Sequence, residues 1–560
     1  MFFLLVYSFI FFLGGCSSPD NLNTLKYTLK LNDAMNGIEV LLTYTPRNIE
    51  GNIKLNIPNE RNELDTLVLV NNIELLSKGE LVKINSETYQ YIGNENAIQL
   101  KYFIPSFSNN SNYLSCENED YYMPYITKNF LHLFGEKSLI LPTPNYSTDE
   151  IFDLELEWLN FPEKWELAND FGISEKNNTG RNLQQVKNIK TTSIGETLFF
   201  GGNYRRSQFK VNDINFHTFI YGQFKFSDEA LVNQLEIIAS EGLAFWNSFD
   251  HSKDYVISLT QRGNECGRIS GRNMYNSFSM YLSTKFTKEQ LPRVFAHSLT
   301  HEFIHTWIGT DLIRDTPDWK HMKWLIEGFT EYYAALINVK VNLLPERKFK
   351  TLLSNYYINY RRSPYAESTL QYYVENYTSD TSLERFVYNK GAVFAFYLDG
   401  YIREKSNLTF DLNDFMFALL ASKQKINEAL NFEMMNSIAI QSVGIDISDI
   451  LNKHIIEGKT FPMSSPLVDS YTEFKTLPID YGFDLVESTT NEIISGVNEN
   501  AFKSGLRNGQ KIVAIKNLSN STKDKMILEV KDNNEIITVK YYPIGTEIKF
   551  NVIKELKPIN

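Results

Sequence analysis

From Leu25 to about Phe226, apolar and polar residues alternate in short runs such as Tyr27-Thr28-Leu29-Lys30-Leu31 and Ile38-Glu39-Val40-Leu41-Leu42. A period of two places every second side chain on one face, the pattern of a half-buried strand, and clusters of Asn, Gly, Ser and Pro between the runs supply turns. Residues 20–226 therefore read as an antiparallel β domain, with exposed turns at Asn109 to Asn112 and Asn177 to Gly180. The period changes at Ser227, where Ser227-Asp228-Glu229 stands ahead of apolar positions at Leu231, Leu235, Ile238 and Ala244, a polar cap followed by helical spacing. A mainly helical domain is expected over 227–460, interrupted by loops at Gly263 to Gly271 and Arg361 to Ser379. After a polar, proline-bearing joint from Phe461 to Pro466, a β-rich segment over 470–560 closes the chain. The pattern is that of a multidomain α+β protein.

Composition narrows the class. A chain of 560 residues exceeds what one hydrophobic core supports, so several domains are expected. The net charge of -12 gives no clustered basic footprint for a phosphate backbone, which sets nucleic acid aside as a partner. Hydrophobic residues at 43%, with 14% aromatics, are ample for packed cores.

The first residues run apolar from Phe2 to Leu13, too short to span a bilayer as a helix and the right length for the core of an export signal. The run ends in Leu13-Gly14-Gly15-Cys16, which resembles the bacterial lipobox. That resemblance implies a signal peptide over 1–16, lipidation of Cys16, and an exported, membrane-anchored lipoprotein facing the periplasm or the cell surface. Cys116 and Cys266 either pair in an oxidising compartment or stand as buried thiols.

The candidate chemistry lies in His301-Glu302-Phe303-Ile304-His305. Thr287 and Gln290 form a capping box, Pro292 suits only an opening turn, and Gly309 stands where a helix C-cap would. A helix of about four turns is expected, with Phe295, Leu299, Phe303 and Trp307 as its apolar ridge and both histidines turned away from that ridge. Two imidazoles four residues apart are offset by ~6 Å along the axis and only ~40° around it, so both can reach one Zn2+. Glu302 projects beside that ion, where a carboxylate can take a proton from an attacking water and return it to a leaving amine. His297 extends the stripe by one turn and reads as a packed or supporting residue rather than a ligand.

A catalytic zinc takes a third protein ligand and keeps one position open. Downstream lies Trp324-Leu325-Ile326-Glu327-Gly328-Phe329-Thr330-Glu331-Tyr332-Tyr333, whose Glu327 is separated from His305 by the 21 residues 306–326. Together with the HExxH, this segment resembles the gluzincin peptidases, the aminopeptidase N-like and, more closely, the glycyl aminopeptidase-like families. The resemblance implies a thermolysin-like catalytic domain and peptide or protein substrates. It also implies Glu327 as the third ligand of one zinc. Glu331, one turn on, either orients a ligand imidazole through its second nitrogen or is solvated. Phe386-Val387-Tyr388-Asn389-Lys390-Gly391 resembles the Y-x-K-G element of the same families, which implies that the Tyr388 hydroxyl steadies the oxyanion.

One element departs from the pattern. Where the glycyl aminopeptidase-like proteins carry G-G-L-E-H-R-N, with a Glu that holds the substrate's free amine, this chain has Gly267-Arg268-Ile269-Ser270-Gly271-Arg272-Asn273. Ser270 replaces the anchoring Glu. An aminopeptidase-like enzyme is the leading expectation; an endopeptidase, or a non-catalytic lipoprotein that binds peptides, are the alternatives. Tyr481-Gly482-Phe483-Asp484-Leu485, with the later Gly505-Leu506-Arg507-Asn508-Gly509 turn, resembles a PDZ domain. In that family a Gly-Phe loop precedes a strand and peptide C-termini are captured beside it.

Overall fold

The computed structural model describes residues 23–557 except 48–52, 62–65, 108–122, 144–150, 175, 177–179, 248–252, 263–268, 284, 292–294, 314–315, 317, 378–380, 426–427 and 534. Cys16, Cys116, Cys266, Pro292, Gly267 and Arg268 lie outside the described residues, as do the turn at Asn109 to Asn112 and most of that at 177–180. Among the described residues no helix is long and apolar enough to cross a membrane. The chain divides into two compact units between Arg206 and Ser207.

The first unit is built of β-sheets. Its six-stranded sheet runs, edge to edge, Asn182–Lys190, Ile151–Leu159, Asn23–Leu31, Gly37–Thr45, Ile98–Pro105, Asn71–Leu75. The alternation that predicts these strands also sets their faces: Leu25, Tyr27, Leu29 and Leu31 are fully buried, and opposite them Val40 and Leu42 are 1% exposed. Tyr27 pairs with Leu42 and Leu29 with Val40, so a slip of one residue would turn this apolar set to the outside. One pairing differs from the antiparallel expectation. Asn23–Leu31 runs parallel to Ile151–Leu159, a long-range match that local alternation does not encode. A second, five-stranded sheet includes Phe130–Phe134 and Leu198–Gly202, and the Tyr27 hydroxyl donates to the Ile140 carbonyl 2.7 Å away.

The second unit begins with a five-stranded sheet. Its strands are β1 (Arg205–Val211), β2 (Ile214–Tyr221), β3 (Asp254–Arg262), β4 (Ser270–Met274) and β5 (Ser277–Ser283), in the order β1-β2-β3-β5-β4. The sequence pattern assigns residues up to 226 to the β domain, whereas β2 runs parallel to β3 and β3 parallel to β5, so β1 and β2 complete the sheet of the second unit. Helix α1 (Asp228–Trp246) makes the crossover from β2 to β3. It starts where the polar cap predicts, with Ser227 Oγ accepting from the Ala230 N–H at 3.2 Å. Gly271, expected in a loop, lies inside the edge strand β4.

The helices that follow include α2 (Ala296–His305), α3 (Lys323–Lys340), α4 (Glu346–Arg362), α5 (Leu370–Asn376) and α6 (Thr381–Lys405). Helix α5 occupies part of the expected Arg361 to Ser379 loop because Thr369 caps it, accepting from the Tyr372 N–H at 3.2 Å. The ridge residues Phe295, Leu299, Phe303 and Trp307 are at most 2% exposed and fix α2 in the core. Trp307 stacks on Trp246 of α1 with ring centroids 5.9 Å apart.

At the C-terminal end, Val468–Thr476 pairs with Ile548–Leu556, and Lys511–Asn517, Met526–Asp532 and Glu535–Tyr541 form a three-stranded sheet. The strand expected after Gly482-Phe483 is absent; a helix, Leu485–Asn491, stands there. Its cause is local: Asp484 accepts from the Glu487 N–H at 2.9 Å, and an Asp followed three residues later by Glu is a helix-start signature that outweighs strand propensity. This segment docks on α4, where Phe550 packs edge-on against Tyr357 at 5.2 Å and the Ile479 N–H bonds to the Arg362 carbonyl at 2.9 Å.

Candidate metal centre

Helix α2 carries both histidines on one face, and the rings meet edge to face with centroids 4.5 Å apart and Nε2 atoms 3.0 Å apart. Helix α3 brings Glu327 against them, its Oε2 standing 3.4 Å from each Nε2. All three residues are buried, at 5–8% exposure. Donors held ~2.0–2.1 Å from a tetrahedral zinc are separated by ~3.3 Å, so a triangle with edges of 3.0, 3.4 and 3.4 Å has the dimensions of a zinc ligand set. Glu327 Oε2 accepts no hydrogen bond of ordinary length, although it is buried. An uncompensated carboxylate oxygen facing two imidazoles fits a divalent cation.

The carboxylates of Glu302, Glu327 and Glu331 set the electrostatics of the cluster. Burial opposes charge on His301, but the carboxylates of Glu327 and Glu331 outweigh it and pull the ring's pKa up to about 10. Burial would raise the Glu327 carboxyl, yet Lys323 and the two rings hold it well below the usual carboxylate range. Burial pushes Glu302 up to about 7, against the pull of His301.

The two histidines are each held in turn. Glu331 Oε1 lies 3.0 Å from His301 Nδ1, while its Oε2 lies 2.7 Å from His297 Nε2 and accepts from the Tyr356 hydroxyl. Glu331 thus lies between His301 and His297 rather than in solvent, and His297 belongs to the same chain of contacts. Thr330 Oγ1 lies 3.4 Å from His305 Nδ1. Gly309 does not cap the helix as its position suggests, because α2 continues into a wider turn, Thr306–Asp311. A Cβ on Gly309 would stand 3.1 Å from His305 Nδ1, so the glycine makes room for the ring.

Glu302 is 9% exposed and lies against β4. A Cβ on Gly271 would stand 2.3 Å from Glu302 Oε1, so a larger residue here would displace this carboxylate. Ser270 precedes it, buried, where the related motif has its Glu. Asn273, which this chain keeps from that motif, accepts from the Thr310 hydroxyl at 2.8 Å and ties β4 to the wide turn after His305. Tyr388 comes from α6, its ring nearly parallel to that of His301 at 5.9 Å. Burial and the nearby Glu327 raise its phenol well above the ordinary value, so it stays protonated.

Sequence reasoning did not identify Lys323, Thr330, Tyr356 or Gly271 as parts of this site. Lys323 stands one helical turn before Glu327 and pairs with its Oε1; in sequence, that spacing is indistinguishable from an exposed helix pair.

Neither a protein-family profile nor a curated protein sequence matches the chain. Its likeness is to solved structures. An aminopeptidase N family protein from Idiomarina loihiensis shares the fold with a TM-score of 0.69 at 15% identity, over 95% of this chain and 98% of that one. An M1 zinc metallopeptidase from Deinococcus radiodurans gives a TM-score of 0.52 at 14% identity, over 80% and 96%. A mutant of the latter, bound to a Tyr-Ser-Ala substrate, also gives 0.52, at 12% identity over 80% and 96%.

Proposed function

We propose that this chain is a zinc-dependent peptidase of gluzincin type, aminopeptidase-like in architecture, in which His301, His305 and Glu327 hold one Zn2+. The observation that carries the reading is the buried donor triangle with Glu302 next to one of its corners in sequence and Tyr388 stacked beside it. The fold shared with structures described as aminopeptidase N family and M1 zinc metallopeptidase proteins supports it. When bound, zinc supplies Lewis acidity, polarising a peptide carbonyl and making water more acidic.

The chain's own groups do the rest. Glu302, its proton affinity raised toward neutrality by burial, takes a proton from the attacking water and passes it to the leaving amine. The protonated Tyr388 hydroxyl donates to the oxyanion as it forms. Glu331 holds the His301 ring by Nδ1 and keeps its Nε2 toward the triangle.

A second reading concerns which peptides are cut. Ser270 places a neutral hydroxyl where a carboxylate would select a free α-amine, which favours an endopeptidase or an enzyme indifferent to the N-terminus. The C-terminal segment is assigned a structural role on α4, since the strand a captured peptide would extend is replaced by a helix. From the sequence alone we further propose export and lipid anchoring at Cys16.

The test combines metal analysis with peptide turnover. The purified protein is expected to carry one zinc and to cleave peptides, and Glu302→Gln is expected to keep the metal while losing turnover by ~10²–10⁴-fold. A fully active Glu302→Gln, or a zinc-free active protein, would refute the assignment. Peptides with free and blocked N-termini decide between the two specificities.

A further inference from the structure

We infer that Lys323 is a positioning residue that holds Glu327 to one-oxygen ligation and so keeps a coordination position open; the inference rests on the metal-centre reading above. The two oxygens of Glu327 are in different hands. Oε2 faces the two imidazoles at 3.4 Å, while Oε1 is engaged by the Lys323 ammonium from the preceding turn of α3. The pair is largely enclosed, with side-chain exposures of 17% for Lys323 and 7% for Glu327, so little solvent competes with the ammonium. On its other side the Lys323 ammonium lies 5.4 Å from the Trp319 ring.

The consequence follows from counting donors. Two histidines and one carboxylate oxygen leave a four-coordinate zinc one position for water or substrate. A Glu327 free to turn both oxygens inward would fill that position. An ammonium fixed on Oε1 prevents this and places a positive charge close to the bound cation, which weakens metal binding. Lys323 therefore trades metal affinity for an accessible site, and its removal should move the two in opposite directions. A residue with a merely structural role would lose both together.

The experiment uses the full chain loaded with cobalt(II) or zinc, comparing wild type with Lys323→Met and Lys323→Arg. Lys323→Met is expected to lower the visible absorption of the cobalt form by roughly half or more, as coordination number rises. It should release zinc to a chelator about tenfold more slowly, and lose roughly 10–100-fold in kcat with KM little changed. Lys323→Arg restores all three. If Lys323→Met does not fold, Lys323→Gln removes the charge, keeps a polar end, and is expected to give the same changes. An unchanged cobalt spectrum, or faster zinc release in the variant that folds, overturns the inference. A wild-type protein that binds neither metal overturns the metal-centre reading itself.

Discussion

Gly328 and Gly391 face each other where α3 packs on α6, so closely that a Cβ on Gly328 would lie 2.2 Å from the Cα of Gly391. A Cβ on Gly391 would in turn lie 2.0 Å from the Trp324 carbonyl oxygen. Glu327 precedes one glycine and Tyr388 stands three residues before the other. The contact between the two backbones is what brings a proposed ligand and a proposed oxyanion donor to one place.

Substituting either glycine tests that arrangement. Gly328→Ala and Gly391→Ala must push the helices apart, because the clash is with backbone, and each is expected to destabilise the second unit by roughly 1–3 kcal/mol. Urea unfolding measures the loss. Turnover should fall further than stability predicts, since Tyr388 shifts relative to Glu327. Wild-type stability in both variants would contradict the close contact.

Gly271→Ala acts on a different atom. Its Cβ would meet the Glu302 carboxylate rather than backbone, so the side chain is displaced and the fold survives. A misplacement on the order of 1 Å costs on the order of 10²-fold in turnover. Zinc content and thermal unfolding are expected to stay at wild-type values, and an unchanged kcat would show that Glu302 does not act from this position.

Tyr388→Phe removes one hydroxyl and keeps the ring that lies along His301. Loss of an oxyanion donor predicts a fall of ~10²–10³-fold in kcat with zinc retained. Steady-state kinetics on one peptide decides it, and a fall confined to KM would assign Tyr388 to substrate binding instead.

How far the sequence revealed this site depends on the range of the physics involved. The spacing of His301 and His305 is a property of one helix, and the structure places their Nε2 atoms 3.0 Å apart. The strands of the first unit follow from alternation for the same reason. Contacts between elements distant in sequence were less legible. The parallel pairing of Asn23–Leu31 with Ile151–Leu159 and the placing of β2 in the second sheet depend on long-range matches. Gly271 reads as a loop glycine until Glu302 is seen beside it, and Gly309 as a cap until the turn after His305 is seen to widen. At Gly482-Phe483 a family resemblance suggested a strand, but the capping signal of Asp484 and Glu487 set the local structure.

The first unit carries a pH response of its own. His132 is fully buried, with its Nε2 2.7 Å from the Tyr204 hydroxyl, and burial lowers its pKa to about 3. The unfolded chain, with an ordinary His pKa near 6.5, takes up a proton that the folded unit refuses between those values. Stability should therefore fall as pH drops below ~6.5 and continue falling toward ~3, by up to about 1.4 kcal/mol per pH unit. Chemical unfolding at several acidic pH values is expected to show this slope in wild type and a shallower one in His132→Gln. Equal slopes would remove His132 as the cause.

The central claim is that one metal ion sits among His301, His305 and Glu327. Anomalous diffraction from zinc-soaked crystals, recorded above and below the zinc edge, tests it most directly. The account predicts a single strong peak within ligand distance, ~2.0–2.2 Å, of both histidine Nε2 atoms and of a Glu327 oxygen. A peak elsewhere with none at this triangle, or no peak in crystals grown with saturating zinc, would contradict it.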